Sequence, residues 1–127
     1  NKNHIIRATL DSIVYQVTDV LKAMEADAGI ALGELKADGG AAANSYLLQT
    51  QADINGAPVL RPRCVETTAM GAAYLAGLAV GFWKDLAEIE AIWAVDREFV
   101  PQISQDERAS RTDGWQKAVA ATRGWSK

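Results

Sequence analysis

A short apolar strand, Glu34 to Ala37, runs into Asp38-Gly39-Gly40, and a helix follows at once over about Ala42 to Asp53. That order is the strongest constraint on the chain. A second strand, Pro58 to Pro62, comes after Asn55-Gly56, so strand, helix and strand together predict a right-handed parallel crossover and an α/β fold. Two successive glycines let the backbone turn sharply and present bare N–H groups, and a helix N-terminus adds a partial positive charge suited to phosphate. Asn44, four residues beyond Gly40, would project from the same side of a helix as that glycine. Taken alone, the junction serves a plain tight turn as readily as a nucleotide site.

Around this unit the periodicity is mostly helical. Ile6, Leu10, Ile13, Val14, Val17, Val20, Leu21 and Met24 fall on one face of a long helix that Gly29 stops. Thr67 or Thr68 is expected to cap a helix on which Ala69, Ala73, Gly77 and Gly81 recur every fourth residue, a ridge suited to close internal packing. Asp85 with Glu88 predicts a short helix, Leu86 to Ala91, followed by an alternating strand through Val95, Arg97 and Phe99 that ends at Pro101. Ser104 and Glu107 form a capping box for a last helix presenting Trp115 and Val119, with Gly124 at its end. Three short strands beside several apolar helix faces suggest that further strands complete the sheet.

The totals exclude several classes of function. A net charge of −3 leaves no basic footprint for nucleic acid or anionic membranes. The run Thr67 to Trp83 carries no charge, but it is short and diluted by glycine and threonine, so a buried helix is expected there and not a membrane span. One cysteine, Cys64, excludes an intrachain disulfide framework, fits a reducing compartment, and reads as a small apolar filler beside a strand. His4 is the lone histidine, which leaves metal cages and Ser-His-Asp arrangements without parts. Trp83, Trp93, Trp115 and Trp125 read as core and interface anchors. Asp106-Glu107-Arg108 reads as the acidic first turn of the last helix, with an exposed partner-binding edge as the alternative.

Taken in order, four blocks resemble the C-terminal region of the FGGY family of carbohydrate kinases, and the resemblance covers nearly the whole chain. His4-Ile5-Ile6-Arg7-Ala8-Thr9-Leu10-Asp11 is similar to the second half of the family's C-terminal signature, and Asp38-Gly39-Gly40-Ala41-Ala42-Ala43-Asn44 to its glycine turn. The third block runs from Thr68 to Trp83, and the fourth is Arg97-Glu98-Phe99 before Pro101. Leu75 through Trp83 together with the fourth block resemble the branch that phosphorylates glycerol.

The resemblance implies a helix-rich α/β fold with a short, mainly parallel sheet, part of an actin-like, ribonuclease-H-like ATPase domain. Residues 1–127 would be the C-terminal part of the second, nucleotide-side domain. The implied cofactors are ATP or ADP with Mg²⁺. Gly40 and Asn44 match the family's glycine and asparagine that contact the nucleotide, Gly39 shapes the turn, and Asp38 ends the strand beneath it. No catalytic residue and no metal ligand are expected here. The phosphate loops, the polyol-binding residues and the aspartate base are expected upstream of Asn1, so the piece alone should be inactive. The implied setting is a cytoplasmic homo-oligomer that meets glycerol through the upstream region, with no nucleic acid and no membrane span. Two alternatives stand beside it: another FGGY kinase acting on a pentulose or gluconate, and a non-catalytic interaction module.

Overall fold

The computed structural model describes residues 1–125. The long apolar stripe forms α1, Lys2–Ala28, whose first turn is capped by Asn1 Oδ1 accepting from the N–H groups of Asn3 and His4. It ends at Gly29, which adopts the left-handed conformation with φ 67° and returns its N–H to the Glu25 carbonyl. There follow β1 (Leu35–Lys36), a 3₁₀ turn (Gly40–Ala43), α2 (Ser45–Asn55), β2 (Val59–Pro62), α3 (Thr67–Ala79), α4 (Leu86–Ile92), β3 (Val95–Phe99) and α5 (Gln105–Gly124).

The sheet has the order β1-β2-β3. β1 and β2 run parallel, Leu35 opposite Val59, as the crossover through α2 requires. The sheet as a whole is mixed, which corrects the expectation of a mainly parallel one. β3 lies antiparallel to β2, with Val59 opposite Phe99 and Leu60 opposite Glu98. The reason is local: α3 and the short α4 return the chain to the same end of the sheet from which β2 leaves, so β3 must run back.

α2 holds the centre. Leu48 and Ala52 pack with Ala42, Val59 and Phe99 against the sheet, while Leu47 and Ile54 meet Val14 of α1. Thr18, Gln51 and Asn55 bridge α1 and α2; the Gln51 amide donates to Thr18 Oγ1 at 3.1 Å and to Asn55 Oδ1 at 3.0 Å. α5 then crosses back over this pair. Its Trp115 ring stacks on Tyr15 with centroids 5.3 Å apart, and the indole N–H donates to Asp19 at 2.7 Å. Ser104 caps α5 as the Ser-x-x-Glu spacing predicts, accepting from the Glu107 N–H.

α3 departs from expectation. Only Gly77 on it is buried; Leu75 is 71% exposed, and beyond the helix end Val80 and Phe82 are 82% and 74% exposed. The apolar surface of α3 is thus left largely uncovered by the described residues. The N-cap position falls on Glu66, which makes no side-chain cap, so Thr67 opens the helix and neither threonine caps it. The small-residue ridge also differs, because Gly81 lies past the helix with φ 74°, and what approaches Gly77 is the Trp83 ring, where a Cβ would meet Cε3 and Cζ3 at 2.2 Å. Cys64 is exposed and not a filler. Trp125 is 90% exposed and anchors nothing among the described residues. None of the described helices is long and apolar enough to cross a membrane.

Candidate functional site

The glycine turn sits where β1 ends. Pairing continues one residue beyond the strand, Ala37 N–H donating to the Leu60 carbonyl at 2.9 Å, and Gly39 N–H then donates to Val65 at 2.8 Å. Gly39 has φ 80° and ψ 174°, a conformation essentially reserved for glycine. The helix does not start at Ala42 as the small-residue run suggests. A 3₁₀ turn intervenes, closed by Ala42 N–H to Gly39 (3.0 Å) and Asn44 N–H to Ala41 (3.1 Å).

Asn44 is therefore not a helix-face residue. It is the N-cap of α2, extended at φ −80° and ψ 99°, with Oδ1 accepting from Tyr46 N–H at 3.0 Å and Leu47 N–H at 3.2 Å. Asparagine is among the best N-caps because its carbonyl fills one of the donor sites that a helix start leaves open. The cap uses Oδ1 and fixes the side chain, so Nδ2, which has no acceptor among the described residues, is held as an oriented donor on an exposed residue.

Gly39, Gly40 and Asn44 are thus brought together on one turn. A Cβ placed on Gly39 or Gly40 would meet nothing within 4 Å, so the space before both glycines is open. The N–H groups of Gly40 and Ala41 precede the first bonded amide of the 3₁₀ turn. Two backbone donors, one amide donor and an open approach suit a ligand rich in oxygen acceptors, such as phosphate or ribose. Beside the turn a cavity of about 240 Å³ is lined by Lys36, Ala37, Asp38, Pro62, Thr67 and Trp93.

Two features of the surroundings lay outside sequence reasoning. Arg61 reaches from β2 to the turn and is bound to Asp96 of β3. On the far side the hydroxyl of Tyr46, two residues past Asn44, donates a hydrogen bond to Asp11 of α1, and the ring lies under the Arg7 guanidinium, 4.7 Å from its centroid. Burial, and then the hydrogen bond to Asp11, push the Tyr46 phenol above its ordinary value. Both contacts are long-range in sequence, and no local spacing announces them. Among the described residues no three His, Cys, Asp or Glu side chains gather to hold a metal ion.

The parallel strand pair, glycine turn, capped helix and small mixed sheet share the actin-like fold of solved carbohydrate kinases. Plasmodium falciparum glycerol kinase with ADP superposes with a TM-score of 0.86 at 32% identity, covering 96% of this chain and 24% of that one. Gluconate kinase from Lactobacillus acidophilus shares the fold, with a TM-score of 0.70 at 20% identity over 98% of this chain and 24% of that one. The chain belongs to the FGGY family of carbohydrate kinases: residues 1–80 match that family's C-terminal domain. The glycerol kinase of Aeromonas hydrophila subsp. hydrophila is 60% identical over 126 residues, 99% of this chain and 25% of that protein. The chain thus spans about a quarter of the length of the curated relatives it matches.

Proposed function

We propose that residues 1–127 are the C-terminal part of the nucleotide-side domain of an ATP-dependent glycerol kinase, which converts glycerol and ATP to sn-glycerol 3-phosphate and ADP. The observation that carries this reading is the 60% identity to a glycerol kinase along 99% of the chain. That identity continues through β3 and α5, past residue 80 where the family match ends.

Within that enzyme the Gly39-Gly40 turn approaches the phosphates or ribose of the nucleotide, with the N–H groups of Gly40 and Ala41 as donors. Asn44 Nδ2 bonds the nucleoside side, and its Oδ1 stays committed to the cap. ATP, when bound, would supply the transferable phosphoryl group, and Mg²⁺ would neutralise the charge that develops in the transfer. What these residues contribute is placement: preformed donors on a turn fixed at both ends cost little reorganisation on binding. The base and the polyol contacts belong to other parts of the enzyme, so this chain alone is inactive. A cytoplasmic setting and a homo-oligomer complete the proposal; the uncovered apolar faces of α1 and α3 support contacts with other protein.

A coupled ADP-release assay on the full-length protein, offered glycerol, ribulose, xylulose and gluconate in parallel, tests it. Turnover with glycerol alone is expected. Turnover with a sugar would replace the substrate and keep the nucleotide turn, and silence with every acceptor would favour a non-catalytic interaction module.

A further inference from the structure

We infer that Arg61, locked by Asp96, is the positioning residue of the glycine turn and sets nucleotide affinity without touching the nucleotide. This inference rests on the nucleotide reading above.

Arg61 lies on β2, the middle strand, and its side chain is only 15% exposed. Its Nε and Nη2 each lie 2.7 Å from Asp96 Oδ2. With that edge of the guanidinium held, Nη1 points into the turn, donating to the carbonyls of Ala42 (3.3 Å) and Ala43 (3.4 Å) and to Ser45 Oγ (3.3 Å). The last carbonyls of a 3₁₀ or α segment lack partners of their own and carry partial negative charge, so a cation there satisfies both needs.

The placement matters because Ala43 and Ser45 are the two neighbours of Asn44. One guanidinium therefore grips the chain on both sides of the residue proposed to contact nucleoside, while Val65 holds the turn's beginning through Gly39. The Asn44 cap orients the side chain relative to α2; Arg61 orients the turn relative to the sheet. A planar fork with several fixed donors can serve a carboxylate on one edge and backbone acceptors on the other, whereas a lysine ammonium is a single point and cannot span both. The Phe99 ring, with its centroid 5.5 Å from the guanidinium carbon, limits lateral movement.

The test uses the full-length enzyme and four variants: R61M, R61K, D96N and S45A. ADP affinity is read by calorimetry, and KM for ATP and for glycerol by steady-state kinetics. For R61M the Kd for ADP and the KM for ATP should each rise about tenfold, as when a supporting contact behind a ligand-binding group is removed, with KM for glycerol held within about twofold. R61K should recover only part of the loss, and D96N and S45A should move the same two quantities by smaller factors. ADP affinity within about twofold of wild type in folded R61M and D96N would overturn the inference, as would equal rises in KM for ATP and glycerol, the mark of general loosening. If R61M fails to fold, D96N and S45A decide, since Asp96 is half-exposed and S45A leaves the ion pair intact. Wild-type enzyme that binds no ADP would overturn the nucleotide reading and this inference with it; wild-type binding with unaffected variants overturns the Arg61 assignment alone.

Discussion

Asn44 caps α2 through Oδ1, and the nucleotide contact proposed for it uses the other atom, Nδ2, so substitution can separate the two. Asn44→Ala removes Oδ1 from the N–H groups of Tyr46 and Leu47, which costs about 1 kcal/mol of stability for a lost N-cap. It also removes Nδ2, and loss of its proposed hydrogen bond to nucleotide would cost about 0.5–1.5 kcal/mol, a rise in Kd for ADP of roughly two- to tenfold. Asn44→Asp keeps a good cap oxygen but has no donor and adds negative charge beside the ligand. The alanine variant should therefore lose both melting temperature and ADP affinity, while the aspartate variant should melt with wild type and lose at least as much affinity. Thermal unfolding and calorimetry on the full-length protein read the two effects independently. Undiminished ADP affinity in Asn44→Asp would refute the assignment of Nδ2 to the ligand. Equal destabilisation by Asp and Ala would refute the claim that the cap holds the start of α2.

Three further outcomes follow from the packing. Gly77→Ala places a methyl group 2.2 Å from Trp83 ring carbons, so Trp83 must move at a cost of about 1–3 kcal/mol; altered tryptophan fluorescence with a lower melting temperature is expected, and an unchanged spectrum would contradict the contact. Burial raises the Tyr46 and Tyr15 phenols above 10.0 in the folded chain, so each binds its proton more tightly folded than unfolded. Their contribution to stability is complete below the unfolded value and fades as pH climbs through the higher folded one; unfolding midpoints should fall on the alkaline side, less steeply in Tyr46→Phe. Residues 1–127 purified alone should self-associate, because Ile5 (71%), Val20 (59%), Met24 (59%) and Leu75 (71%) are exposed; a monomer at high concentration by light scattering would refute this.

Local rules made much of the fold legible. The long apolar period of α1 and the left-handed glycines at positions 29 and 56 announced their helix ends, prolines bracketed β2, and Ser104 with Glu107 announced α5. What local rules missed depends on distance or on neighbours. Ala41-Ala42-Ala43 has high helix propensity, yet the pull of Arg61 on the Ala42 and Ala43 carbonyls accompanies a 3₁₀ turn and leaves Asn44 to cap α2. Pattern alone could not show whether α3 is covered, because hydrophobicity demands a partner without saying whether that partner lies in the same stretch of chain. The antiparallel return of β3 follows from where α4 delivers the chain, a tertiary fact. At the site, Gly39, Gly40 and Asn44 stood out from residue type and family resemblance, whereas Arg61 and Asp96, thirty-five residues apart, are joined only by the sheet.

The central claim is that the turn from Gly39 to Asn44 meets the nucleotide, and amide hydrogen exchange on the full-length protein tests it directly. The N–H groups of Gly40 and Ala41 have no acceptor within the turn, so they should exchange quickly in the free protein and slow markedly when ADP is added. Saturating ADP that protects other segments and leaves residues 39–47 unchanged would contradict the account.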